Sequence, residues 1–171
     1  PFFAKANGDW IRATPAYSQG RLYVAGMKDI LVCLDAQTGS IVWKIDFPKQ
    51  LKTQVPKFGF VSSPLIDGDS VYVQAGGAFY RLNKSDGSVI WKTAEGDSGM
   101  NSAFSSPVIQ TLCGKRQLVV QGRNELFGIE MAGGKILWQQ KVKAFRGMNI
   151  LTPTFDGDNI FISSYGGKTR L

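Results

Sequence analysis

The chain has 171 residues, of which 43% are hydrophobic and 19% are charged, and these proportions exclude an intrinsically disordered protein. Its net charge is +7, but the basic residues are spread along the chain, with one loose group at Lys141, Lys143 and Arg146, so nucleic-acid binding is not predicted. Histidine is absent, which excludes Ser-His-Asp and Cys-His catalysis and histidine-ligated metal or haem within this chain. No apolar run approaches the roughly 18 residues that span a bilayer.

The first regular unit is predicted over residues 11–47, as four short strands separated by turns. Its clearest stretch runs from Leu31 to Trp43 and predicts a strand, a tight turn and a second strand. Within that turn, the side chains of Asp35 and Thr38 can bond nearby backbone N–H groups, and Gly39 tolerates a positive φ.

Three further units follow at residues 60–95, 103–142 and 150–171, and the last contains no equivalent of the Trp43 strand. The segments 47–57 and 94–101 are predicted to be connectors between the units, and the second is polar and contains glycine. Asp67-Gly68-Asp69 and Asp156-Gly157-Asp158 each supply two carboxylates but no further acidic ligand nearby, so hairpin turns are favoured over calcium sites. Cys33 and Cys113 have no Cys-x-x-Cys spacing and lie in apolar contexts, so both are predicted to be buried, inert thiols.

The units repeat with a period in the forties. Trp43, Trp91 and Trp138 are separated by 48 and 47 residues, and the turn glycines Gly39, Gly87 and Gly134 keep the same steps. One proline lies near the start of each unit, where a missing N–H is tolerated: Pro15, Pro64, Pro107 and Pro153. Four strands at this period predict an all-β fold, a β-propeller of four-stranded antiparallel blades stacked face to face. The predicted blades are residues 11–47, 60–95, 103–142 and 150–171 of a single domain, 1–171.

The pattern of a polar residue, a turn glycine four residues later and a tryptophan four after that resembles the tryptophan-docking motif of pyrroloquinoline-quinone-type propellers. That family includes quinoprotein alcohol dehydrogenases and BamB-like outer-membrane assembly factors. The likeness is strongest to bacterial PQQ-binding-like repeat proteins, including polyvinyl-alcohol-dehydrogenase-like ones, through Arg12-Ala13-Thr14-Pro15, Ser62-Ser63-Pro64 and Ser105-Ser106-Pro107. The resemblance implies that the three tryptophans and their turn glycines dock each blade on the next. The first motif residue, a small alanine in the family, is here Cys33, Arg81 and Gly128.

The family closes its ring with seven or eight blades, whereas about 3.5 are present here. An open end would expose an inter-blade face and a strand edge. The predicted partners are therefore missing blades of the same chain or a second copy that completes the ring, and envelope proteins. We expect a periplasmic or otherwise extracytoplasmic location from the resemblance, without nucleic acid and without a membrane span.

Two functions remain open at the level of sequence. The first is a non-catalytic scaffold for protein or ligand binding and assembly in the bacterial envelope, with no cofactor, no metal site and no catalytic residue. The alternative is part of a quinone-dependent alcohol dehydrogenase, which would use PQQ and Ca²⁺. Quinoprotein dehydrogenases add adjacent cysteines, and this chain has none.

Ligands and partners of propellers bind at the channel mouth, which is reached by the loops that lead into the inner strands. Those loops contain Arg12, Asn101, Arg146 and Asn149 here. Arg12 and Arg146 occupy equivalent places before the first strands of units one and four, and a guanidinium suits phosphate, carboxylate or quinone recognition. The alternative is that they are solvated loop arginines or make inter-blade hydrogen bonds.

Overall fold

A computed structural model describes residues 11–55, 58–96 and 103–167 of the chain. Short antiparallel strands make up nearly half of them, with one five-residue α-helix and one 3-10 turn. The strands are β1 (Ala16–Ser18), β2 (Arg21–Gly26), β3 (Ile30–Asp35), β4 (Ile41–Asp46), β5 (Leu65–Asp67), β6 (Ser70–Ala75), β7 (Ala78–Asn83), β8 (Val89–Thr93), β9 (Val108–Leu112), β10 (Lys115–Gln121), β11 (Glu125–Ile129), β12 (Ile136–Lys141), β13 (Thr154–Asp156) and β14 (Asn159–Phe161). The helix α1 is Phe47–Leu51, and the 3-10 turn is Phe145–Gly147.

Consecutive strands pair in chain order, which gives three four-stranded sheets, β1–β4, β5–β8 and β9–β12, and the two-stranded sheet β13–β14. Each sheet begins one residue after a proline, at Ala16, Leu65, Val108 and Thr154. Proline has no backbone N–H group, and just before the first strand residue this missing donor costs the sheet no inter-strand hydrogen bond. The all-β propeller-type architecture predicted from the repeat is therefore the observed one.

The hairpin that ends each four-stranded sheet has one repeated geometry. In the first, Gly39 N donates to Asp35 O over 2.9 Å and Asp35 N to Ser40 O over 2.8 Å, and the equivalent bonds recur at Asn83 and at Glu130. The three turn glycines have φ of 70°, 77° and 76°, values that L side chains rarely adopt. The polar residue four positions before each glycine is thus the acceptor that closes the turn.

A register shift follows the first motif residue in all three sheets. That residue is the cross-strand partner of the tryptophan: Cys33 opposes Trp43, Arg81 opposes Trp91 and Gly128 opposes Trp138, with the ladder shifting at the next position. Because directly opposed side chains share one face, the size of this residue decides how much room the indole has over its own sheet. Such bulges recur in one place because the turn that follows is the same.

The chain divides into two compact units, Pro1–Ser102 and Ala103–Leu171. In the first, one apolar core draws on both four-stranded sheets, and includes Leu31 from the first, Val73 and Leu82 from the second, and Phe47 from the helix α1. In the second, Leu112, Val119, Leu126, Val142 and Ile162 form a core that reaches from β9 to the residue after β14. Each core therefore joins neighbouring sheets, as face-to-face stacking requires.

The structure refines two expectations and corrects a third. The connector 47–57 begins with the helix α1, because Pro48 fits its first turn and the Asp46 carboxylate accepts the amide of Lys49 at its N-terminus over 3.2 Å. A 3-10 turn occupies residues 145–147, where a plain loop was expected. Cys113 is exposed, because it lies in the β9–β10 turn with φ of 47°. Cys33, by contrast, is buried as predicted, and burial raises the pKa of its thiol.

Both Asp-Gly-Asp segments form the tips of hairpins. Gly68 and Gly157 have φ of 53° and 58° between β5 and β6 and between β13 and β14. Asp158 accepts the amide of Cys113 over 2.6 Å, which ties the β13–β14 turn to the β9–β10 turn. Within residues 11–55, 58–96 and 103–167, no three His, Cys, Asp or Glu side chains are grouped so that they could hold a metal ion.

Candidate binding site

Trp43 crosses from the first sheet to the second. Its indole N–H donates to the carbonyl of Lys84 over 2.9 Å, in the β7–β8 turn. Its ring lies so close to Gly87 that a Cβ on that glycine would sit 2.7 Å from Cε3. On its own sheet the ring contacts Tyr23, with centroids 5.9 Å apart. This geometry is what docking of one blade on the next requires, and we call this contact of Trp43 with Lys84 and Gly87 the tryptophan seam.

The other two tryptophans have different surroundings. Trp91 is buried against Tyr72 and Phe79 of its own sheet, with centroids 6.0 Å from each. Trp138 donates its indole N–H to Gln117 Oε1 over 2.7 Å, also within its own sheet, and overlies Gly128, where a Cβ would overlap the indole. Their docking on a following blade, and that of Gly39 and Gly134, stays a prediction.

The predicted binding residues fall into three groups. Arg12 is exposed ahead of β1 in the first unit. Asn101 lies outside the described residues. Arg146 and Asn149 lie together in the loop that leads to β13 in the second unit, where Arg146 is exposed and Asn149 is 2% exposed. Their roles in binding stay predictions, but the two residues of the second unit have a defined structural relationship.

Arg146 belongs to an exposed aromatic surface. Its guanidinium lies 5.1 Å from the centroid of the Phe145 ring, and that ring is 5.9 Å from the ring of Tyr165. Phe145 and Tyr165 are 52% and 60% exposed. Phe145 N donates to Tyr165 O over 2.8 Å and Tyr165 N to Met148 O over 3.3 Å. We call these three side chains, Phe145, Arg146 and Tyr165, the Phe145 platform.

A buried arginine forms a hydrogen bond to the backbone of the Phe145 platform. Arg123, in the β10–β11 turn, is 7% exposed, its guanidinium lies 5.5 Å from the Phe104 ring centroid, and Nη2 donates to the carbonyl of Arg146. Gly147, with φ of 66°, packs against it so closely that a Cβ would lie 3.0 Å from Nε. Burial lowers the pKa of Arg123. Arg146 itself has φ of 53°, an uncommon value for a residue other than glycine, and the bond from Arg123 holds that backbone.

Asn149 completes the support. Its Nδ2 donates to the carbonyl of Arg123 over 2.8 Å and to that of Val142 over 3.1 Å. The side chain that sequence reasoning assigned to binding is therefore engaged inside the unit, and Arg123 was missed. A single buried arginine in a turn leaves no periodic signal, and Gly122-Arg123-Asn124 has the composition of an ordinary polar turn.

We expect Asn149→Ala to lower the free energy of unfolding by about 1–3 kcal/mol, because it leaves two buried carbonyls without their donor. Urea unfolding followed by far-UV circular dichroism measures this change. Asn124→Ala is the matched control, because Asn124 is exposed and its bond to Val142 uses only the backbone, so its effect should stay within about 0.5 kcal/mol. Equal stability of the two variants would contradict the supporting function of Asn149.

A concave surface lies in the first unit, beside the tryptophan seam. It has a volume of about 540 Å³, and its lining includes Arg21 and Lys84. Arg21 is paired with Asp35 over 2.7 Å, and Lys84 Nζ donates to Gln19 over 2.9 Å. Because both cationic groups already have partners within the chain, this groove is less suited to a ligand than the Phe145 platform.

Comparison with known families identifies the repeat. The family model described as "Outer membrane protein assembly factor BamB" matches residues 4–170, nearly the whole chain. The chain belongs to the BamB family. A curated BamB-family relative, the outer membrane protein assembly factor BamB of Nitrosomonas eutropha, is 28% identical over 163 residues, which cover 90% of this chain and 34% of that protein. The chain thus spans about a third of the length of this curated relative.

Solved structures agree with the BamB-family fold. BamB from Moraxella catarrhalis matches with a TM-score of 0.67 and 21% identity, over 94% of this chain and 52% of that one. Quinohemoprotein alcohol dehydrogenase from Comamonas testosteroni matches with a TM-score of 0.54 and 22% identity, over 77% of this chain and 21% of that one. At these identities the likeness shows the propeller fold. In the part of this BamB-family chain that the structure describes, no helix is long and apolar enough to cross a membrane.

Proposed function

We propose that this chain is a non-catalytic BamB-type scaffold segment that binds a protein partner through the Phe145 platform during assembly of proteins at the bacterial outer membrane. The observation that carries the proposal is an exposed pair of aromatic rings capped by an arginine on a chain of the BamB family. The curated relative is named an outer membrane protein assembly factor, and the Moraxella catarrhalis structure is named BamB, which supports an envelope location and protein partners for this chain.

The chemistry of the platform favours a protein partner. Tyrosine, phenylalanine and arginine are enriched at interface centres because their large side chains bury extensive area, and the aromatic rings lose little rotamer entropy on binding. Two aromatic rings that are more than half exposed would gain that burial from a partner. Lys141 and Lys143 lie close in sequence to Arg146, and the chain carries a net charge of +7. A partner with acidic or carbonyl-rich segments complements this surface.

Ring completion is the second part of the proposal. The chain contributes three four-stranded sheets and one two-stranded sheet, and the curated relative is about three times as long as the matched region. We propose that further blades, of the same polypeptide or of a second copy, complete a ring in which 1–171 forms part of one domain. Burial of the exposed faces of terminal sheets would drive that association.

The quinone-dependent enzyme stays a separate candidate that only the shared fold supports. Dye-linked alcohol oxidation, measured after addition of PQQ and Ca²⁺ to the protein, tests it directly. Turnover that disappears on chelation of the metal would overturn the scaffold proposal.

We expect Arg146→Ala to weaken binding to the purified outer-membrane protein assembly machinery of the same cells by about tenfold or more, the usual size of an interface hot spot. Biolayer interferometry with the immobilised chain measures the dissociation constant. Lys115→Ala is the matched control, because Lys115 is an exposed cation in the same unit at the start of β10.

Two further variants define where binding occurs. Phe145→Ala should weaken binding as strongly as Arg146→Ala, whereas Arg12→Ala tests the equivalent loop of the first unit. Unchanged binding by both Phe145→Ala and Arg146→Ala, with the wild-type chain binding measurably, would refute the platform as the docking surface.

A further inference from the structure

Asp29 lies in the β2–β3 turn and has no solvent exposure. Its Oδ2 accepts the amide of Gly76, in the β6–β7 turn of the neighbouring sheet, over 2.7 Å. Its carbonyl accepts the amide of Phe47, the first residue of α1, over 3.1 Å. One acidic side chain therefore joins the first sheet to the second, at a place that the tryptophan seam does not involve.

The surroundings of Asp29 offer few hydrogen-bond donors that could stabilise a negative charge on its carboxyl group. Its Oδ1 has no hydrogen-bond partner among the described residues, and neither have two other buried oxygens, Thr53 Oγ1 and Tyr80 Oη. Thr53 and Tyr80 belong to residues that pack against Gly76 and Phe47, the two residues whose amides Asp29 accepts. Thr53 packs so tightly on Gly76 that a Cβ there would lie 2.6 Å from the threonine Cβ, and the Tyr80 ring centroid is 5.0 Å from that of Phe47.

The charged and titratable groups around this turn do not neutralise Asp29. Burial, with smaller contributions from Glu95 and Asp29, raises the pKa of Tyr80 to about 12, so the phenol stays neutral. Asp46, in register opposite Ile30, is paired with Lys49 over 3.5 Å. Lys28, the preceding residue, is exposed. Burial raises the pKa of Asp29 to about 7, and the bond from Gly76 is the smaller, opposing effect.

We propose that Asp29 is a proton-binding site that links the packing of the first sheet on the second to pH, with the inter-sheet contact tightest when the carboxyl group is protonated. The proton that the carboxyl releases passes to solvent, and the group left behind is a buried carboxylate whose second oxygen has no donor from the chain. This inference is independent of the Phe145 platform, which lies in the other unit.

The direction of the effect follows from linkage. The pKa of Asp29 in the folded protein, about 7, lies above the ordinary value of 3.8 for an unperturbed Asp. Between these values the folded protein holds a proton that the opened state has lost, so opening becomes easier as pH rises, by up to about tenfold per pH unit. Below about pH 4 the carboxyl group is protonated in both states, and its stabilisation of the inter-sheet contact is fully present. Above about pH 7 it is ionised in both states, and the free energy of opening falls no further.

Hydrogen exchange of the Gly76 amide, followed by NMR on the whole chain and corrected for the intrinsic exchange rate, tests this inference. We expect the protection factor to fall by about tenfold per unit between about pH 5 and pH 7 and then to level off. In Asp29→Asn the profile should be flat, because the amide oxygen still accepts from Gly76 but nothing titrates. Asp35→Asn is the matched control: Asp35 is in the same sheet, and its hydrogen bonds to Thr38 lower its pKa, so the wild-type profile should persist.

A carbon-13 NMR titration of the aspartate carboxyl groups in the wild-type chain gives a second readout that needs no variant. The Asp29 signal should titrate near pH 7, well above the value of 3.8 for an unperturbed aspartate. A midpoint below about pH 5, or the same slope of Gly76 protection in Asp29→Asn as in wild type, would overturn the proposal.

Discussion

Trp43→Ala should lower the free energy of unfolding of the first unit by about 3–5 kcal/mol, the range for removing a buried large aromatic side chain. Trp43 is 8% exposed and belongs to the core that both four-stranded sheets share. The variant loses the indole packing on Gly87, the contact with Tyr23 and the hydrogen bond to Lys84 O. Urea unfolding followed by far-UV circular dichroism measures the change without depending on tryptophan fluorescence.

Trp43→Phe separates the hydrogen bond from the packing. It keeps most of the ring but leaves the Lys84 carbonyl without its indole donor, so we expect a loss of about 1–2 kcal/mol. If Trp43→Ala cost no more than Trp43→Phe, the stacking of the indole on the second sheet would not be the main stabilising contact. The tryptophan seam would then be a consequence of sheet packing and not its cause.

Gly87→Ala should cost about 2–4 kcal/mol, the second-largest effect. Its φ of 77° strains an L residue by about 1–2 kcal/mol, and its Cβ would lie 2.7 Å from Cε3 and 3.0 Å from Cδ2 of Trp43. The indole is held on its other side by the core and cannot move away freely. The same unfolding assay measures the effect.

Gly39→Ala provides the matched control. Gly39 has φ of 70° in the equivalent turn of the first sheet, with nothing within 4 Å of an added Cβ, so only the backbone strain of about 1–2 kcal/mol applies. In the Trp43→Ala background the excess cost of Gly87→Ala should vanish, because the atoms that it meets are gone. Equal costs of Gly39→Ala and Gly87→Ala in the wild-type background would show that the seam does not need a glycine for packing.

Sequence reasoning succeeded where a residue acts through a local or repeated pattern. The hairpins at Gly39, Gly87 and Gly134, and the sheet start after each proline, follow from turn chemistry that operates within a few residues. The period in the forties then predicted the propeller, because a unit of four strands must stack its faces on copies of itself. Helix α1 was missed because five residues give too short a pattern to be seen against a connector.

Contacts between residues distant along the chain could not be predicted from the sequence. Arg146 and Asn149 were both predicted to be binding residues of one loop; the structure adds that Asn149 is buried and donates to the carbonyl of Arg123, 26 positions earlier. Cys113 was expected to be buried because its neighbours in sequence are apolar, whereas its position in a turn exposes it. Exposure of a side chain is set by which elements pack over it, and that information is not local.

The amino-acid sequence by itself determined the architecture of the chain: the four-stranded units, their hairpins, the repeated indoles and the family. These features arise from backbone preferences and from periodic burial, both of which can be read along the chain. Only the tertiary structure decided that the Trp43 indole crosses to the next sheet, which side chains form the Phe145 platform, and that Asp29 is enclosed against Gly76, 47 positions away. The reason is that hydrogen bonding, ring contact and desolvation act over a few ångströms in space, whatever the separation in sequence.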